Sequence, residues 1–286
     1  MTHPVKGVDH VYLLINDLDK GLAQYQALGF TLSPRGMHSA AKGSANHTIM
    51  FPEDYFELLG IINPTPGNES RRALLESAGE GLHAIACRIG SAQEAAEALA
   101  GLGIATEGLG DFERPVPLPG GGTGVAAFST VSFTPEETPL GTVFMCQHKT
   151  RETVWIPDLL EHANTACGLG GVVAVSDSPA EDAARFARLF ADGSVRTIPG
   201  GAEVVTGARS IPILLLDAAA VAALYPGVDL SQTPKGAFTA LRIKVADMAR
   251  ARACLAEAGI APIATGAGLA VPPAQTSGTI LEFIPA

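Results

Sequence analysis

Hydrophobic and polar positions along the chain switch between two periods, and do so four times. Each time an apolar strand-like run leads into an amphipathic helix opened by Asp or Ser, then a glycine turn, then another strand. The copies are VYLLINDLDKGLAQYQALGF (11–30), AIACRIGSAQEAAEALAGLGI (84–104), VVAVSDSPAEDAARFARLFADGSV (172–195) and LRIKVADMARARACLAEAGI (241–260). In the first helix Leu18, Leu22, Tyr25 and Leu28 share one face; in the fourth, Met248, Ala251, Leu255 and Ala258 do. Asp17, Ser91 and Asp177 or Ser178 stand where N-caps belong. Gly29, Gly103, Gly193 and Gly259 are read as left-handed caps that end the helices.

Short strand-like runs follow each glycine. After the first come ANHTIMF (45–51) and YFELLGI (55–61); after the second, VAAFSTVSF (125–133) and TVFMCQH (142–148). The order is strand, helix and about three strands, four times over. One such unit leaves the open face of a curved sheet bare, and two units together bury it. The pattern therefore predicts an α+β protein of four βαβββ modules, paired into two cup-shaped incomplete barrels. The rhythm breaks in TRETVWIPDLLEHANTACGLGG, between His148 and Gly171. We expect one domain over 1–150, a connection over 151–168 and a second domain over 169–286. Residues 62–80 read as a linker with a Pro-Gly turn and a short helix, and PVPLPGGGTG (115–124) as a loop.

Composition narrows the class. Of 286 residues, 47% are hydrophobic and 17% charged, which suits a globular chain of about two domains. A net charge of −10 argues against a nucleic-acid partner. The longest apolar stretch, at 211–227, is interrupted by Asp217 and flanked by prolines, so no spanning helix is expected. The N-terminus runs straight into a strand without a cleavage site, which points to the cytoplasm. Cys87, Cys146, Cys167 and Cys254 lack metal-type spacing and read as reduced buried thiols.

All seven histidines lie at or before His162, which places any metal or acid–base chemistry in the first half. His10 opens the first strand of unit one (VDHVYLL), and His83 is read as holding the matching position in unit two (GLHAIAC). Glu57 sits inside an apolar strand (YFELLGI), where a carboxylate must be paired, hydrogen-bonded or metal-bound. Two imidazoles and a carboxylate suit a divalent first-row ion; each alone also fits a satisfied structural role. Tyr55, two residues before Glu57, should share its face. His47 should alternate to the surface. His148, Trp155, His162 and Asn164 cluster after the second unit; they read either as a structural tie or as a lid with His148 or His162 as acid or base.

The segments VDHVYLLINDLDKGLAQYQALGF, RGMHSAAKGSANHTIMFPEDYFELLGI and FMCQHKTRETVWIPDLLEHANTA resemble the vicinal oxygen chelate superfamily, in particular its glyoxalase-like branch. That superfamily includes glyoxalase I, extradiol dioxygenases, fosfomycin-resistance enzymes and bleomycin-binding proteins. The resemblance implies two vicinal-oxygen-chelate-type cups with metal ligands on the first and last strands of each module. It thereby implies His10, Glu57 and His83 as ligands to a divalent ion, with zinc, iron, manganese and nickel undistinguished. The fourth place falls in TVFMCQH, where Met145 occupies the expected register and Gln147 the next residue on that side. His38, Asn46, Tyr55 and Trp155 are the implied substrate contacts; Glu57 and His148 are the candidate catalytic groups. In the second half Glu282 alone stands at a ligand position, so no metal is expected there.

Three functions follow from these residues. The first is a metal-dependent lyase, isomerase or hydrolase-like enzyme acting on a small oxygenated molecule by Lewis-acid stabilisation of an enolate or oxyanion. The second is a non-catalytic protein that sequesters an antibiotic or metabolite, as the weak fourth position suggests. The third is a ring-cleaving extradiol-type dioxygenase. Superfamily members often pair, so a homodimer is a further expectation.

Overall fold

The computed structural model describes residues 2–118 and 121–286. The first half runs β1 (Val8–Ile15), α1 (Leu18–Ala27), β2 (Gly36–Met37), β3 (Ser44–Met50), β4 (Tyr55–Ile61) and α2 (Glu69–Ala78). It continues with β5 (Gly81–Arg88), α3 (Ala92–Gly101), β6 (Thr106–Pro117), β7 (Thr123–Phe133) and β8 (Thr142–His148). The second half repeats the order as β9 (Ala166–Val175), α4 (Pro179–Ala187), β10 (Ser194–Ile198), β11 (Gly201–Val205), β12 (Ile213–Leu216) and α5 (Ala218–Leu224). It ends with β13 (Ala240–Val245), α6 (Met248–Glu257), β14 (Ile263–Ala264), β15 (Leu269–Val271) and β16 (Ile280–Pro285).

Two eight-stranded mixed sheets result, ordered β2-β3-β4-β1-β5-β8-β7-β6 and β10-β11-β12-β9-β13-β16-β15-β14. Within each module the first strand pairs parallel with the last, as β1 does with β4 and β5 with β8. The two modules of a sheet meet through their antiparallel first strands, β1 with β5 and β9 with β13. This is the α+β architecture of paired βαβββ modules expected from the repeat.

The caps explain the helix starts. Asp17 accepts hydrogen bonds from the Asp19 and Lys20 amides, Ser91 from Glu94, and Asp247 from Ala249 and Arg250. Gly29, Gly103 and Gly259 take the positive φ that ends a helix. Gly193 does not. It is needed because a Cβ there would overlap the Ala187 carbonyl oxygen.

Strand alternation sorts the apolar residues into layers. On β1, Val11, Leu13 and Ile15 face the helices, while His10, Tyr12 and Leu14 face the concave side. The helix-side core is continuous between the two sheets: Phe30 and Phe283 stack with centroids 5.8 Å apart, and the Tyr25 hydroxyl donates to the Thr276 carbonyl at 3.1 Å. The concave faces hold separate apolar clusters.

Some expectations are corrected. Pro115–Pro117 and Thr123–Gly124 are not loop but paired strand, and they extend the β6–β7 hairpin; the remainder of that stretch includes residues 119 and 120, outside the described residues. His47 is buried, with Nδ1 2.8 Å from the Ser33 carbonyl oxygen. Cys167 is exposed, whereas the other three thiols are buried. Among the described residues no helix is long and apolar enough to cross a membrane.

Candidate active site

A cavity of about 160 Å³ opens over the concave face of the first sheet. β1 supplies His10, β3 Asn46, β4 Tyr55 and Glu57, β8 Phe144 and Cys146. The long β6–β7 hairpin curls over it with Phe112, Arg114 and Phe128, the turn after β2 adds His38 and Lys42, and α2 adds Arg71.

A register shift in the β1–β5 ladder, between Val8 and His10, lets two consecutive residues serve the same side of the sheet. Asp9 and His10 are both buried there, and His10 Nδ1 lies 2.8 Å from Asp9 Oδ1. His148 Nε2 reaches the same oxygen at 2.9 Å, and Arg88 Nε stands 3.4 Å from Asp9 Oδ2. Burial would raise the Asp9 pKa, but hydrogen bonds and charge from His10 and His148 outweigh it and hold the carboxyl well below its ordinary range. With Asp9 accepting at Nδ1–H, the neutral His10 tautomer that fits the network would carry its lone pair on Nε2, which has no protein partner among the described residues, and the ring itself lines the cavity. Tyr55 stacks on the imidazole at 4.2 Å and the Phe144 ring meets it edge-on at 5.7 Å, so the ring has little freedom to turn.

Glu57 is half-buried and accepts a hydrogen bond from Asn46 Nδ2. That assignment leaves Asn46 Oδ1 buried and without a partner among the described residues. Tyr55 and Cys146 also face the cavity, and burial pushes both of their pKa values well up, so they remain protonated.

Three cations line the same space. Burial and the neighbouring Arg71 lower the Lys42 ammonium to about 8, against the pull of Glu57. Burial also lowers Arg114, with Glu57 and Tyr55 opposing. His38 is driven down to about 3 by burial and then by Lys42, Arg114 and Arg71, so it is neutral near pH 7. Its Nδ1 lies 2.8 Å from Ser44 Oγ.

The structure brings His10, Glu57, Tyr55, His38 and Asn46 to one cavity. Trp155 stands one layer behind, packed edge-on against His148 at 5.0 Å and donating to the Phe51 carbonyl at 2.9 Å; Val154 takes the lining position. His148 is likewise behind the lining, tied to Asp9. His162 accepts from the Thr31 amide at 3.0 Å and reaches the Met50 carbonyl oxygen at 2.9 Å, a structural tie.

His83 is not brought to this site. Counted from the helix caps Asp17 and Ser91, the mate of His10 is Ala84, and His83 is the mate of Asp9. The strand registers agree: His10 pairs with Ala86, and Tyr12 with Ala84, so the two-fold exchanges His10 with Ala84. His83 Nε2 is instead 2.7 Å from the Gly79 carbonyl oxygen. The fourth place shifts by one residue too. Tyr12 faces Glu57, and its mate Ala86 faces Phe144, so Phe144 and not Met145 is the counterpart of Glu57. Met145 is fully buried in the helix-side core, and Gln147 accepts from the Ala92 amide at the start of α3. Asp9, Lys42, Arg71 and Arg114 escaped the sequence reading. Counting back from the caps would have exposed the offset of His83, but nothing local marks the three cations.

The four places that the resemblance assigns to metal ligands thus hold His10, Glu57, Ala84 and Phe144, and a methyl and a phenyl group supply no donor. A four-ligand site of that kind does not fit these residues. In the second sheet the same places hold Gly171, Leu214, Ala240 and Glu282. Glu282 is fully buried and accepts from the Tyr225 hydroxyl at 2.9 Å, Arg242 Nε at 2.7 Å and the Thr265 hydroxyl, so Tyr225 occupies that cup. Among the described residues one other group has donors close enough to hold an ion, namely Asp9, His10 and His148, whose ligand atoms lie within 4.8 Å of one another.

A family profile described as "Glyoxalase-like domain" matches residues 8–190, more than half of the chain. No curated protein matches by sequence. Among solved structures, a hypothetical protein from Staphylococcus aureus is similar over 98% of this chain and 99% of its own, at 15% identity and a TM-score of 0.68. A variant of homoprotocatechuate 2,3-dioxygenase from B. fuscum is similar over 100% of this chain and 72% of its own, at 14% identity and a TM-score of 0.59. At such identities the likeness concerns the fold. The profile match, the paired modules and the cup-shaped sheets together make this chain a member of the glyoxalase-like domain family, within the vicinal oxygen chelate superfamily.

Proposed function

We propose that the protein is an enzyme of lyase or isomerase type that moves a proton on a small oxygenated organic molecule in the first cup, with His10 as the base. The observation that carries this reading is the Asp9–His10 pair: a buried carboxylate on Nδ1, and no protein partner on Nε2 among the described residues, in a ring that lines the cavity. Asp9 fixes the tautomer and orientation of the ring and stabilises the imidazolium once the proton arrives. Negative charge that develops on a substrate oxygen meets Arg114 and Lys42 in a half-buried space, where fixed charges act more strongly than in water. Glu57, oriented by Asn46, is placed to return a proton when it holds one.

The test is exchange of substrate carbon-bound hydrogen in D₂O, followed by NMR over a panel of hydroxy-carbonyl compounds. His10→Gln should slow exchange by about 10²–10⁴-fold. Equal exchange in wild type and variant would remove His10 from the role. Ligand binding with no turnover of any kind would favour the sequestering protein, and oxygen uptake with catechols under ferrous conditions would favour ring cleavage.

A second reading rests on the proximity of Asp9, His10 and His148. If they hold a divalent ion, it would lie beside Asp9 behind the cavity lining, and the Lewis acidity it would supply would reach the cavity through the His10 ring. Elemental analysis of purified protein and of His148→Ala checks this; stoichiometric metal in wild type that is lost in the variant would support it.

A further inference from the structure

We propose that the ligand of this cavity is a small organic acid, with its oxyanion held by Arg114, Lys42 and Arg71 and its apolar body against Phe112, Phe128 and Phe144. This rests on the functional reading in sharing its cavity and two of its cations, Arg114 and Lys42; the binding claim stands without catalysis.

The chain carries a net charge of −10, yet three cations from three separate elements converge on one small space. Each is half-buried, and none forms an ion pair among the described residues. The lining contains one carboxylate, Glu57, and it is engaged by Asn46. Gathering like charges in a partly desolvated space is unfavourable unless something compensates it. The surroundings are built to keep them there. Lys42 Nζ lies 3.2 Å from the centroid of Phe112, and its carbonyl is held by Asn68 Nδ2 at 2.9 Å. Gly36 leaves room for the Arg114 guanidinium: a Cβ at that position would stand 2.5 Å from Arg114 Nη1. His38 is held neutral beside them.

A carboxylate or a phosphate monoester supplies the missing charge, and a guanidinium fork pairs with either. The unpartnered Asn46 Oδ1, also 2.5 Å from that same hypothetical Cβ, adds an acceptor for a ligand hydroxyl next to the anion site. The three phenyl rings complete the enclosure; Phe112 and Phe128 stack at 4.9 Å.

The experiment is calorimetric titration of the full chain with 2-hydroxy-3-phenylpropanoate, its neutral amide, 3-phenylpropanoate and phenyl phosphate. The hydroxy acid or the phosphate should bind more tightly than the amide. Arg114→Gln and Lys42→Gln should each weaken the anion by about 10-fold or more and leave the amide within about twofold. A preference for the carboxylate or for the phosphate says which oxyanion is taken, and loss of the hydroxyl should weaken binding further. His10→Gln should bind the acid as wild type does while losing turnover, which separates this proposal from the catalytic one. No preference of wild type for either anion over the amide, or a preference untouched in both folded variants, overturns it; thermal melts verify folding.

Discussion

Asp9 organises the candidate site although it is not among the residues that line the cavity. One of its oxygens is shared by two imidazoles, and the other faces Arg88. Replacing it with Asn keeps the shape but removes the charge and offers an amide that can present a donor to His10. Asp9→Asn should lower kcat by about 10²-fold or more with little change in ligand affinity, measured as kcat against calorimetric Kd. Its position explains why it is easy to overlook: in VDHVYLL it reads as a polar residue before a strand, and the register shift alone turns it inward.

At the level of elements, the site depends on the β6–β7 hairpin and α2, which close a cup that the remaining strands leave open. Arg114 and Phe112 come from one face of β6, at a remove of two residues, and Arg71 from the first turns of α2. The hairpin is held in place by ladder hydrogen bonds from Thr106 to Pro117. Gly36 on the short β2 is the contact that sets how closely the Arg114 guanidinium approaches. Gly36→Ala should push that flexible end aside. Anion affinity should fall several-fold, and the melting temperature should drop as well, since the same Cβ would press on the buried Asn46 Oδ1 as closely as on Arg114. Gly193→Ala is the contrasting case. Its Cβ would meet backbone at the end of α4, and a stability loss of about 1–3 kcal/mol is expected by denaturant titration.

The whole molecule is joined through the helix-side core. Phe238, in the second half, pairs with Leu82 of β5 and is fully buried; a side chain at Gly141 would strike its ring. Phe238→Ala should therefore cost about 3–5 kcal/mol. A single cooperative melt is expected for wild type, because neither sheet owns its core alone. Asp54 adds a polar tie between the halves, accepting from the Leu169 amide at 3.0 Å. Burial raises its pKa from 3.8 to about 6, so the folded state holds that proton more firmly than the unfolded chain. The stability it contributes is full below about pH 4 and is lost as pH rises through 6. Asp54→Asn, which can keep an oxygen on Leu169, should match wild type near pH 4 and exceed its melting temperature at pH 7.5.

Local pattern was enough for the architecture. Four strand–helix–glycine units, each begun by a capping residue, specify four modules, because the caps and the helical period are properties of neighbouring residues. The same pattern placed His10, Tyr55 and Glu57 on one face, since alternation along a strand has a fixed period. It failed where the count slipped and where a strand departs from regular pairing. A miscount of one residue from the helix caps put His83 in place of Ala84 as the counterpart of His10 and Met145 in place of Phe144, while the β1 bulge separately brought Asp9 inward; in an alternating structure an error of one residue exchanges the faces. The convergence of Lys42, Arg71 and Arg114 lay wholly beyond local reading. They stand on three elements distant in sequence, and only the closing of the hairpin and α2 over the first sheet makes them neighbours.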